Sequence, residues 1–131
     1  MAAFMKPFAS QTYALLRITA GLMFLCHGTQ KLFVWPIGYP EGMEVPAFIT
    51  YIAGPIEFIG GLLIAIGLFT SWAAFIASGQ MAAAYWLGHG TKAVLPIVNG
   101  GELAALYCFL FLMISAHGGG VWSVDESRGS R

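Results

Sequence analysis

Five side chains with acid–base or ligand-holding chemistry lie inside otherwise apolar stretches. They are His27 and Lys31 in "MFLCHGTQKLF", Glu57 in "GPIEFIGGLLIAIG", His89 in "SGQMAAAYWLGH" and Glu102 in "NGGELAALYCFLF". An imidazole titrates near neutral pH, an ammonium donates hydrogen bonds, and a carboxylate accepts them and relays protons. Gathered in one place, they form a polar cluster able to pair charges or to hold and protonate a polar ligand. Histidine and glutamate are also metal-ligand types, but no E-x-x-H or comparable paired spacing occurs, so no metal centre is expected. No nucleophile–base arrangement and no phosphate loop stands out either; "GGG" at 118–120 follows a helical run and reads as its stop.

Composition says what must position these groups. Of 131 residues, 58% are hydrophobic and 9% charged, with a mean hydropathy of +0.75. A water-soluble domain of this size leaves much of its surface facing solvent and cannot hide that much apolar area, so a lipid surround is the consistent reading. A formal net charge of zero removes the electrostatic footprint of a nucleic-acid binder.

Four segments, about 13–34, 46–69, 71–88 and 97–116, each approach the roughly 20 residues a helix needs to cross a bilayer core. Pro36, Gly38, Pro40, Gly42 and Pro46 break the chain after the first, Thr70 and Ser71 after the second, and Gly88, Gly90 and Pro96 after the third. The expected fold is all-α: a single-domain integral membrane four-helix bundle, up-down-up-down. A secretory signal is not expected, because the first helix carries Arg17 and no small-x-small cleavage site follows it. Lys6, Arg128 and Arg131, with Arg17 near the same end, outnumber Lys31 and Lys92. The positive-inside rule then puts both termini in the cytoplasm and the loops after the first and third helices outside.

Arg17, His27 and Lys31 fall within an arc of about 80° on the first helix, so one face carries all three into the bundle. Arg17 is expected to be an inner-side anchor to lipid phosphates or a member of an ion pair. His27 lies about 10 Å below the outer end and needs a partner. Glu57 shares a face with Gly60 and Gly61, where small residues permit close helix contact. It is a candidate ion-pair partner for Lys31 or Arg17. Pro55 frees the carbonyl of Tyr51 and predicts a kink beside Glu57. Asn99 and Glu102 have the spacing of a helix cap and its N3 acid. Cys26 and Cys108 read as buried apolar filler, with a redox pair as the alternative. His27, Lys31, Glu57, His89 and Glu102 are expected to converge in the outer half of the bundle.

The segments "LLRITAGLMFLCHGTQKLF", "GPIEFIGGLLIAIGLFTSWAA", "SGQMAAAYWLGH" and "PIVNGGELAALYCFLFL", followed by "GGGVWSVD", resemble the DoxX family of small four-helix bacterial membrane proteins over nearly the whole chain. The motifs are R-x9-H-G-x2-K, E-x2-G-G, N-G-G-E and W-S-x-D. The resemblance implies the fold and a place in the bacterial inner membrane, among membrane lipids. It also implies a loose tie to redox chemistry, through relatives described as parts of thiosulfate:quinone oxidoreductase or quinol oxidase assemblies. A quinone needs an apolar slot, two donors near its carbonyls and a group that exchanges protons. His27 and Lys31 would donate, and Glu57 or Glu102 would relay protons. Electrons would come from other membrane subunits, since the sequence carries no redox centre of its own. The alternative is a non-catalytic accessory or scaffold subunit of a larger membrane complex, or a homo-oligomer, whose ion pairs fix helix register.

Overall fold

The computed structural model describes residues 3–129; Arg131, used above for orientation, lies outside them. A 3-10 turn, Lys6–Phe8, leads into α1, Ala9–Phe33. A π-helical turn, Ile49–Ala53, opens α2, Gly54–Ile66. Helix α3, Thr70–Tyr85, ends in a second π-helical turn, Trp86–Gly90. A short helix α4, Pro96–Asn99, precedes α5, Glu102–His117, and a last turn α6 covers Val124–Ser127. The expected 97–116 helix is thus two pieces, because Gly100 turns the chain at φ +75° before α5 begins. Among the described residues, one helical stretch, Ile49–Ile66, is long and apolar enough to cross a membrane, and Glu102–His117 is a shorter apolar helix.

Where the sequence predicts a kink beside Glu57, the structure has a π-helical turn. Pro55 has no N–H to give to the turn before it. The chain meets this with the wider π turn, which closes when the Gly54 N–H bonds the Ile49 carbonyl. The following connection is tight: Gly67 caps α2 in the left-handed region at φ +72°, and α3 starts three residues later.

The four long helices run antiparallel to their neighbours. Helix α1 lies against α2 so closely that a Cβ at Gly21 would fall 2.5 Å from the Ala65 nitrogen, and one at Gly61 2.5 Å from the Leu25 nitrogen. Helices α3 and α5 are joined where the Ser78 hydroxyl donates to the Cys108 carbonyl at 2.7 Å and Ser115 to the Ser71 carbonyl at 2.8 Å. Between α1 and α5 large rings fill the space: Phe24 meets Phe111 at 4.8 Å and Tyr107 at 5.8 Å between centroids. The result is an apolar core that also encloses polar groups, with an apolar exterior. Arg17, Glu57, Thr70, Ser78 and Asn99 are buried, while Leu15, Leu22, Ile59, Leu62, Phe75, Leu106, Phe109 and Met113 are exposed. An apolar surface of that extent marks a membrane or protein interface.

The start of α1 meets the residues after α5 at one end of the bundle, where the latter fold back as a hook. Arg17 is 0% exposed. Its guanidinium donates to the carbonyls of Ile64 at 2.8 Å, Ala65 at 2.7 Å and Trp122 at 2.9 Å, with a longer bond to Val121 at 3.4 Å. Neither a snorkelling anchor nor a partner of Glu57, it satisfies the open C-terminal carbonyls of α2, the negative end of that helix. The Tyr13 hydroxyl donates to the Gly118 carbonyl at 2.6 Å, and its ring stacks on His117. Asp125 accepts from the N–H groups of Phe69 and Thr70, both at 2.9 Å, and from the Thr70 hydroxyl at 2.7 Å. This caps α3 from across the chain.

Two outcomes are expected. Replacing Arg17 by Lys leaves a cation that cannot span two pairs of carbonyls. At about 1.5–3 kcal/mol for each charged hydrogen bond lost, thermal unfolding in detergent should show a loss of about 3 kcal/mol or more; an unchanged midpoint would sink the pinning role. Burial alone would raise the Asp125 carboxyl, but the Thr70 and Phe69 donors, helped by Arg128, outweigh it and hold the group below the ordinary carboxylate range. Because the folded value is the lower one, its contribution is complete above the unfolded value of about 4 and fades as pH falls through the folded value. The melting midpoint should therefore drop in that acid window. Asp125→Asn should start lower at neutral pH and lack that step, whereas equal acid steps in both proteins would assign the loss to another carboxylate.

Candidate functional site

At the end of the bundle opposite the hook, α1 and α2 touch at Gly28. A Cβ there would collide with the Phe58 backbone nitrogen, so only glycine lets the helices lie this close. The contact brings Lys31, one turn further on, onto Glu57, with Nζ to Oε2 at 2.7 Å. Glu57 is 2% exposed. Its second oxygen, Oε1, accepts from Gln80 Nε2 at 2.9 Å. One carboxylate thus ties together α1, α2 and α3. An ionised carboxylate has only lone pairs to offer, so the Gln80 amide must present its N–H side to Glu57. Gln80 Oε1 then faces elsewhere, buried and without a donor from the protein.

A cavity of about 270 Å³ lies beside this triad. His27, Lys31, Glu57, Gln80, His89 and Tyr107 supply its polar lining, and Phe24, Met81, Ala84 and Leu103 are among its apolar walls. Tyr107 is 4% exposed, and its hydroxyl has no hydrogen-bond partner. Its ring stacks on Phe111 at 5.2 Å and meets His27 edge-on at 6.4 Å. Both π-helical turns border the cavity, the first through Ile49 and Ala53, the second through His89. The wider turn re-aims side chains that a regular α-helix would direct elsewhere. His89 Nδ1 lies 3.1 Å from the Asn99 carbonyl, which assigns the proton to that nitrogen.

Four of the five expected cluster residues, His27, Lys31, Glu57 and His89, line this one cavity, and Glu102 does not. Helix α5 starts at Glu102 with Gly101 as its N-cap, and the carboxylate is exposed. Tyr107 takes the inward position instead, and Leu103 borders the cavity. Asn99 is not the N-cap of α5; it ends α4. Its Oδ1 accepts from the Gly101 N–H at 2.8 Å, and its Nδ2 donates to the Tyr85 hydroxyl at 3.0 Å and the Ala93 carbonyl at 3.1 Å. It stabilises the loop behind His89. Cys26 is exposed instead of buried, Cys108 is half-buried, and both are free thiols.

Gln80, Tyr107 and Tyr39 were not anticipated from sequence. Tyr39 belongs to the loop between α1 and the first π turn, and its buried hydroxyl has no partner. Burial first, and the Glu57 carboxylate second, push it above the ordinary tyrosine range. The signal for Gln80 was its isolation as the one amide in the apolar run of α3. For Tyr107 it was a hydroxyl one turn before Phe111 on the inward face of α5.

The sequence model of the DoxX family matches residues 12–90. An uncharacterised protein of Haemophilus influenzae is 43% identical over 117 residues, covering 86% of this chain and 87% of that protein. A Bacillus subtilis protein, provisionally named as an oxidoreductase, CatD, is 36% identical over 58 residues, 43% of each chain. No solved structure matches. The matched span contains Arg17, His27, Lys31, Glu57, Gln80 and His89, and with it most of the cavity: the chain belongs to the DoxX family.

Proposed function

We propose that this protein crosses the bacterial inner membrane four times and binds the headgroup of a quinone in the cavity, as a subunit of a redox-linked membrane complex. The exposed apolar faces of all four long helices support the lipid surround. One observation carries the ligand: Tyr107 and Gln80, each with a buried polar atom that the protein leaves unanswered, line the same small cavity. Buried polar atoms are ordinarily paired, so two such residues beside one cavity support a ligand with polar edges. At about 270 Å³ the space is just below drug-sized pockets of about 300–1,000 Å³. One substituted ring fits, with polar groups at its edges and apolar walls against its faces. The oxidoreductase naming of the Bacillus subtilis relative supports a redox setting.

A bound quinone would supply two-electron, two-proton carrier chemistry. On this reading Tyr107 would turn its hydroxyl to a ring oxygen, and His27, edge-on to Tyr107, would be the group that exchanges a proton there. Lys31 and Glu57 keep the cavity floor polar and, as a pair, neutral. The second reading, an accessory subunit that binds no ligand, is favoured by the same triad in another respect, since it ties three helices without help.

The two readings separate at Tyr107 and His27. Tyr107→Phe removes a hydroxyl that makes no protein hydrogen bond, so the melting midpoint should stay or rise. Quinone affinity should fall about tenfold, or roughly 1.4 kcal/mol. His27→Gln keeps a donor and an acceptor but does not titrate; it should assemble normally and lower quinone-linked turnover at least tenfold. Full affinity and turnover in both variants would leave the accessory reading. For orientation, Gly42→Cys and Thr91→Cys should be labelled by an impermeant thiol reagent in intact cells, in a Cys26→Ser, Cys108→Ser background. Gly129→Cys should react only after permeabilisation; labelling of Gly129→Cys from outside would invert the topology.

A further inference from the structure

Helix α2 is packed tightly on one side and openly on the other. Toward α1, Gly21, Gly28 and Gly61 are all required, because a Cβ at any of them would run into the backbone of the facing helix. Gly60 is required by no such contact: a Cβ there would meet one atom, Phe24 Cε1, at an ordinary 3.8 Å. Toward α3, Gly60 instead borders a groove of about 240 Å³. Pro55, Ile56, Ile59 and Leu63 form one wall, Ala73 and Ile76 the other, and no polar side chain enters it.

The length of the groove and the group at its end point to one kind of occupant. From Pro55 to Leu63 it runs about 12 Å at 1.5 Å per residue. Leu63 and Ala73 each lie about one helical turn from the connection between α2 and α3, so the whole distance to that end of the bundle is about 17 Å. That is close to one leaflet, half of a hydrocarbon core of about 30 Å. A second copy or a partner subunit would need about 20–30 residues a side for a stable interface, and seven line this groove. At the end toward the connection Phe69 is exposed, and the Arg128 guanidinium stands over its ring, 5.7 Å from the centroid. The nearby Asp125 carboxylate is already taken up by three donors from Phe69 and Thr70. A guanidinium in that place suits a phosphate, with which it makes paired, charge-assisted hydrogen bonds.

We propose, resting on the membrane-spanning reading above, that the groove between α2 and α3 seats one acyl chain of an anionic phospholipid whose phosphate lies at Arg128. The apolar walls receive the chain, Gly60 leaves room beside it, and the cation fixes which headgroup is preferred. Gly60 and Ile76 lie about one helical turn from Glu57 and Gln80 on the same two helices. The seated chain therefore braces the seam across which Gln80 bonds Glu57.

The test uses the full chain, extracted from washed membranes in a mild detergent and followed by native mass spectrometry. Recovery in the soluble fraction without detergent would overturn the membrane reading and this proposal together. Titrated with dioleoyl phosphatidylglycerol and dioleoyl phosphatidylcholine, the protein should bind one equivalent of the first at least tenfold more tightly than the second. Arg128→Gln should bring phosphatidylglycerol down to the affinity of phosphatidylcholine and leave the latter unchanged. Gly60→Leu should weaken both lipids at least tenfold. Ile76→Trp, which sets an indole across the groove from an exposed position, is the second variant should Gly60→Leu fail to fold. Equal affinities in the native protein, or a preference that survives Arg128→Gln, overturn the headgroup contact and with it the proposal. Full affinity in a folded groove variant overturns the acyl seat. Displacement of the lipid by a decyl-tailed benzoquinone would give the groove to the quinone, and a dimer that the groove variants lose would give it to a second copy. Either result overturns the proposal while the membrane reading stands.

Discussion

The site end of the bundle depends on burying one ionised carboxylate. Glu57 at 2% exposure would cost several kcal/mol if either oxygen were unanswered. The geometry of three helices follows from answering both. Lys31 reaches Oε2 only because Gly28 lets α1 rest on the backbone of α2. Gln80 reaches Oε1 only because the tight connection after Gly67 lays α3 beside α2. The dependence runs both ways, since sliding α1 along α2 by one residue would turn Lys31 about 100° away from its partner. Close packing makes the pair possible, and the pair in turn selects that packing among other small-residue contacts.

At the other end Arg17 meets the same difficulty with the opposite charge and a different solution. Its partners are main-chain carbonyls, two from the last turn of α2 and two from the hook. A helix end buried without partners and a guanidinium buried without a carboxylate would each be costly alone. Together each supplies what the other lacks. Asp125 closes the arrangement by capping α3 and, through its own N–H, bonding the Gly67 carbonyl at 2.8 Å. The hook is thus an integral layer of the bundle, which gives W-S-x-D a structural meaning: Ser123 caps the last turn, and Asp125 caps α3.

The all-helical class and the grouping of His27, Lys31, Glu57 and His89 were legible in the sequence because both rest on local period. An ionisable residue in an apolar run must face inward, and only a few inward positions lie at one depth. Glu102 escaped that logic because its facing depends on where α5 starts, and Gly100 and Gly101 reset that start by a geometry composition does not encode. Arg17 was legible as buried but not as a carbonyl ligand, since its partners are backbone groups that exist in every sequence. Gln80 and Tyr107 were hidden for a related reason. Uncharged residues carry no sign that demands a partner, and their importance lies in what the folded protein leaves unpaired.

That distinction bears on which ligands the cavity suits. Lys31 and Glu57 cancel within 2.7 Å, so they offer little net field to a bound molecule. An anion or cation entering would lose its hydration without gaining a counter-ion, whereas a neutral ring from the bilayer loses almost none. The remaining polar groups on its lining residues are dipoles, the Tyr107 hydroxyl and the Gln80 amide, whose directions are set by packing on Phe111 and by Glu57. The charged pair contributes indirectly, by fixing the amide. His27 is placed differently: besides the cavity, it lines a second depression, with Met23, Cys26, Gln30, Pro36 and Ile37. Its ring thus stands between the two, while Glu57 is held between Lys31 and Gln80.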